Sequence, residues 1–145
     1  MAELAACLVL AWVVVEDLRR FRIRNLAVGI ITLAFVAACV EHGTTGLLLA
    51  HGAFAGLALA LLALACFRGM IGGGDAKLLA AAFFWVGPEG ALVFALILFV
   101  LTVATVVGAN FRLIPTRRAA RGTKIPFGPS IAGALATVIA LSRAA

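Results

Sequence analysis

Residues 71–87 read IGGGDAKLLAAAFFWVG, and this stretch decides the fold. Three consecutive glycines lead into Asp75 and Lys77, and the apolar run behind them stops at Gly87-Pro88. A helix needs about 20 apolar residues to cross a hydrocarbon core of roughly 30 Å, so this run is too short to span unaided. Longer apolar runs flank it on both sides, at 47–67 and 90–109. The short segment is therefore expected to be carried at membrane depth by its neighbours, its charged start in a depression lined by protein and water. Gly72, Gly73 and Gly74 suit such a place, because glycine admits close approach and unusual backbone angles where non-helical chain enters the membrane zone.

The same pattern continues outward in both directions. Apolar segments fall at about 4–17, 26–40, 47–67, 76–87, 90–109 and 128–142. None alternates strictly, and lipid accepts only helices or closed barrels, so all six read as helices. The expected fold is all-α: one transmembrane domain over residues 1–145, with six transmembrane helices, some short. Composition agrees, since 65% of residues are hydrophobic and 12% charged, against roughly 25% charged in a soluble domain. A water-soluble core could not hide that much apolar side chain.

The formal charge of +6 does not point to nucleic acid, because the basic residues sit in the gaps between apolar runs. If the gaps alternate across the bilayer, one side receives Arg19, Arg20, Arg22, Arg24, Arg68, Lys77, Arg112, Arg117, Arg118, Arg121 and Lys124. Of the 12 Lys and Arg residues only Arg143 falls on the other side. Basic residues mark the cytoplasmic side, so both termini are expected outside the cytoplasm. Glu3 precedes the first run and Glu16-Asp17-Leu18-Arg19-Arg20 follows it, the reverse of a secretory signal, so that run is expected to be retained. Cys7, Cys39 and Cys66 lie inside apolar runs with no C-x-x-C spacing and read as buried apolar side chains. His42 and His51 have no third ligand in view, so neither a metal nor another cofactor is expected. Gly52 and Gly56 form a G-x-x-x-G step where another helix can approach.

Acids inside membrane segments are expensive and usually functional. Asp17 lies thirteen residues in from Leu4, about 20 Å along a helix, and Asp75 lies twelve residues back from Gly87, about 18 Å. Two independent counts thus place both acids at one depth, on the cytoplasmic side. Facing carboxyls do not both ionise easily, so one can hold a proton as acid while the other activates water as base. Such a pair would bring residues 17 and 75 close enough for cysteines there to crosslink, within about 7 Å between Cα atoms. Plainer readings exist for each. Asp75 after three glycines suits a helix N-cap, and Asp17 suits a boundary acid balanced by Arg20. Glu16 is rotated about 100° from Asp17, so the two cannot address one cleft equally.

Three motifs narrow the choice. Asp17-Leu18-Arg19-Arg20-Phe21-Arg22-Ile23-Arg24-Asn25 resembles the first catalytic motif of prepilin peptidases, D-x-R-x-x-x-I-P-N. Gly72-Gly73-Gly74-Asp75-Ala76-Lys77-Leu78 resembles their G-x-G-D-x-K-L, and Pro126-Phe127-Gly128-Pro129 their late P-[FY]-G-P. The resemblance implies a GxGD-type aspartyl protease of the inner membrane whose catalytic residues match Asp17 and Asp75. It implies a pilin-like precursor as substrate, cut at the cytoplasmic face between leader and hydrophobic segment. The small size looks like members serving Flp-type, tight-adherence pili. The paired C-x-x-C motifs of members that also methylate the product are absent, so methylation is not expected. Arg24 replaces the family's proline. Lys77 and Arg22 are candidates for stabilising the oxyanion or tuning the pair, or else for interfacial anchoring. Asn25 is a candidate cap or cleft residue, and Phe127 is a candidate for the substrate path. Two other functions compete: a non-catalytic assembly subunit of the same family type, and a small proton-coupled transporter using the same acids.

Overall fold

A computed structural model describes residues 1–111, 117–119, 122–124 and 126–144. The chain forms α1 (Ala2–Arg20), α2 (Asn25–Glu41), α3 (Leu47–Phe67), α4 (Gly73–Asn110) and α5 (Gly128–Ala144). A short antiparallel ribbon, β1 (Arg117–Ala119) with β2 (Gly122–Lys124), lies between α4 and α5 and pairs Arg118 with Thr123. Of the basic residues expected in the loop at 112–124, Arg112 and Arg121 lie outside the described residues.

Six separate helices were expected, and among the described residues five continuous ones form. The difference is Gly87, whose backbone (φ 68, ψ 179) leaves the helical region inside α4, just before Pro88. The Phe83 and Phe94 rings nevertheless meet edge to face at 5.4 Å. Eleven residues of continuous helix would separate them by about 16.5 Å along the axis. The chain therefore folds back at Gly87, and α4 is two limbs joined by one non-helical residue.

Pro88 has no N–H, so the Phe84 carbonyl four residues earlier loses its helical donor. His51 supplies the replacement: its Nδ1 lies 2.9 Å from that carbonyl oxygen, and since a carbonyl only accepts, Nδ1 carries the proton. The imidazole stacks on Phe35 at 5.1 Å, and its Nε2 lies 3.5 Å from a Glu89 carboxylate oxygen. A side chain at Gly87 would collide with the ring, so the fold-back admits only glycine there. His51 is thus a structural pin.

α3 and α4 are long and apolar enough to cross a membrane. On α3 only His51 is buried, while Leu49 and Phe67 are 84% and 89% exposed. A helix apolar all round with its large side chains uncovered belongs in lipid. Of the G-x-x-x-G pair, Gly52 packs against the Phe84 ring, but a side chain at Gly56 would meet nothing within 4 Å. The expected close helix contact is therefore made at Gly52 alone.

The remaining helices close a ring in which α1 and α4 each pack on both α2 and α5, and no Cα of α1 lies within 8 Å of one of α4. The two face each other diagonally across a shared core. Leu10 and Val13 of α1 enter that core with Leu78, Ala82 and Val86 of α4 and Leu135 of α5. Glu3 pairs with Arg143, and the Met1 ammonium lies 3.0 Å from Glu41, so both chain ends meet at one end of the bundle.

Candidate active site

The buried face of α1 is Ala2, Ala6, Leu10, Val13 and Asp17, spaced at the helical repeat. Asp17 is the last step of an otherwise apolar stripe, and it is only 5% exposed. Its Oδ2 accepts a 2.9 Å hydrogen bond from the backbone N–H of Gly128, the first residue of α5. A Cβ at Gly128 would stand 2.7 Å from that oxygen and 2.9 Å from Asp17 Cγ, so the carboxyl occupies the space a side chain would need. Pro126 beside it is fully buried, whereas Phe127 is 39% exposed. One turn past Asp17, α1 ends at Phe21 in the left-handed region (φ 52), its N–H on the Asp17 carbonyl at 2.9 Å.

Asp75 is half-buried and in register with Leu78, Ala82 and Val86, so it ends the corresponding inward stripe of α4. The N-cap is Gly72, not Asp75, which is the third helical residue. The carboxyl turns back over the cap: a Cβ on Gly72 would lie 2.9 Å from Asp75 Oδ2. On Gly74 it would lie 3.2 Å from Ile23 Cβ, but on Gly73 it would meet only the Cys66 sulfur at an ordinary 3.6 Å. The two outer glycines of G-x-G are thus the tight ones. None of the three has a positive φ, so close approach is their role, and the unusual backbone angles expected of them do not occur.

Lys77 Nζ donates to Asn25 Oδ1 at 3.1 Å, joining the start of α4 to the start of α2. Asn25 therefore ties the two helices together and is not the cap of α2; that position belongs to Arg24. Arg24 adopts φ −80 and ψ 138, within reach of a proline ring, and its guanidinium lies 5.7 Å from the centre of the Trp12 ring. Three contacts thus gather the three motifs at one end of the bundle: Asp17 with Gly128, Ile23 with Gly74, and Asn25 with Lys77.

Beside them opens a cavity of about 820 Å³ lined by Glu16, Arg20, Arg22, Arg24, Asn25 and Lys77, with Gly73 and Gly74 at its wall. A depression holding the acids was expected at the start of the short segment, and this cavity lies there without them. Neither Asp17 nor Asp75 lines it. The 100° between Glu16 and Asp17 sends the first to this cavity and the second into the core. With α1 and α4 on a diagonal, the Asp17 and Asp75 Cα atoms are more than 8 Å apart, beyond the crosslinking distance expected from equal depth. Equal depth fixes position along the membrane normal and leaves the lateral distance open.

Asp17 is buried and Asp75 half-buried at the end of the bundle where the glycine-rich and proline-glycine helix starts meet. The type IV leader peptidase family model matches residues 4–109, well over half of the chain, and the chain belongs to that family. No curated protein and no solved structure matches it. The matched stretch ends before Pro126, so the meeting of Asp17 with Gly128 is an observation independent of the match.

Proposed function

We propose that the protein is an aspartyl endopeptidase that removes the N-terminal leader of type IV, Flp-like pilin precursors at the cytoplasmic face of the bacterial inner membrane, with Asp17 and Asp75 as its catalytic pair. The observation that carries this reading is the convergence of the three motifs, with the buried Asp17 and the half-buried Asp75 among them, at the end of the bundle opposite both chain ends. The bias of basic residues supports a cytoplasmic location for that end.

With their Cα atoms more than 8 Å apart, the two carboxyls would act on a water and a peptide carbonyl held between them. One carboxylate takes a proton from the water as it attacks the carbonyl carbon, and the other carboxyl gives its proton to the carbonyl oxygen. Collapse of the tetrahedral intermediate releases the leader as a new carboxylate, with a proton delivered to the departing amine. The pair titrates as a unit, so neither residue owns one role. A proton-coupled transporter would need an aqueous path from Asp17 to the outer end, and Ala6, Leu10 and Val13, each at most 2% exposed, close that path. A non-catalytic subunit would have no use for both acids. Co-expression with a Flp-like precursor tests the proposal. A shortened species whose new N-terminus lies immediately before the hydrophobic segment is expected, and a precursor left full length beside membrane-inserted protein refutes it.

A further inference from the structure

A second cavity, of about 290 Å³, lies between α2, α3 and the first limb of α4, lined by Thr32, Gly52, Ala55, Gly56, Ala81 and Phe84 among others. Its wall is apolar apart from Thr32, whose hydroxyl bonds the Val28 carbonyl, and Lys77, which also lines the basic cavity of about 820 Å³. The two spaces are neighbours on either side of that lysine. One is polar, with Arg20, Arg22, Arg24 and Lys77 set against the single acid Glu16, at the charged end of the bundle. The other runs from it along the membrane-spanning helices. Gly56 leaves it open, and α2 and α3 touch only sparsely there.

We propose that the pair of cavities is one bipartite site for an anionic phospholipid, with the phosphate in the arginine-lined cavity and an acyl chain in the groove past Lys77. Three features select this occupant. Guanidinium groups match phosphate oxygens with two parallel donors, and Arg20 and Arg22 have no partner among the described residues. At about 290 Å³ the groove can take a few turns' length of one acyl chain and is too small to take in a helix about 10 Å across. The candidate catalytic acids line neither space, so the site is separate from the dyad and the proposal does not rest on cleavage.

The test is native mass spectrometry of the detergent-solubilised full chain, titrated with phosphatidylglycerol, with phosphatidylcholine of the same chains, and with glycerol phosphate. The wild type is expected to bind phosphatidylglycerol at least tenfold more tightly than phosphatidylcholine, and glycerol phosphate at equal concentration is expected not to displace it. A basic residue near a membrane surface is worth about fivefold in binding an anionic lipid, so Arg20→Gln with Arg22→Gln should cost about 25-fold and erase the preference. Gly56→Leu, whose Cβ would meet nothing within 4 Å, adds a side chain at the groove and should weaken both lipids alike. Unchanged phosphatidylglycerol binding in the double arginine variant overturns the proposal. So does full displacement by glycerol phosphate, which would mean a free-anion site, or by a pilin-precursor peptide, which would assign the cavities to substrate.

Discussion

Gly128→Ala is the sharpest probe of how the site is held. The new methyl carbon would stand 2.7 Å from Asp17 Oδ2, 2.9 Å from Cγ and 3.0 Å from Cβ. Only the first of these is the free end of a side chain. To restore ordinary contact the whole carboxyl must move by about 1 Å, and the 2.9 Å hydrogen bond from the Gly128 N–H is lost or bent. A buried hydrogen bond of this kind contributes about 0.5–1.5 kcal/mol, on top of the 1–3 kcal/mol typical of overpacking. The bundle should survive that loss. A 1 Å misplacement of a catalytic group costs about 100-fold in rate, so cleavage of a co-expressed precursor should fall by about that factor at unchanged membrane levels of the variant. Gly133→Ala, which meets only the end of Leu101, is the matched control within α5. A Gly128→Ala enzyme that cleaves at the wild-type rate would refute both the Asp17–Gly128 contact and its importance.

Gly72→Ala should impair cleavage by tenfold or more because it crowds Asp75 Oδ2, whereas Gly73→Ala faces an ordinary contact and should stay within about threefold; time courses of precursor processing separate them. Arg24→Pro should be accepted by the backbone and lose only its contact with Trp12, about 0.5–1 kcal/mol, read as a small drop in thermal stability with activity retained. His51→Phe keeps the stacking on Phe35 but strips the Phe84 carbonyl of its donor, which should cost about 1–3 kcal/mol in a thermal unfolding assay; no loss would mean that the fold-back at Gly87 does not need the pin.

The helical segments were legible because apolar runs and their breaks are local. The stripe Ala6, Leu10, Val13, Asp17 could be read forward from the sequence, and it correctly sends Asp17 inward and Glu16 aside. Gly87-Pro88 was legible as a connection, but not as one so tight that helix resumes at once on its far side. Depth counting could not give the separation of α1 and α4, because rise per residue measures position along an axis and says nothing of which helices are neighbours. The contacts of Asp17 with Gly128 and Lys77 with Asn25 join residues far apart in the chain, and only the packing of α5 and α2 around the pair reveals them. The basic cavity was hidden in plain view, since the arginines that mark orientation also line it.

Whether Asp17 and Asp75 act together as a peptidase pair is read from the processing of a co-expressed pilin precursor by Asp17→Asn, Asp75→Asn and Glu16→Gln variants. Asparagine can serve as neither acid nor base, so each aspartate variant should leave the precursor uncut while still inserting in the membrane. Glu16→Gln should process it at close to the wild-type rate, since Glu16 faces the basic cavity and not the core. Full processing by either aspartate variant, or loss of processing in Glu16→Gln alone, would contradict the account.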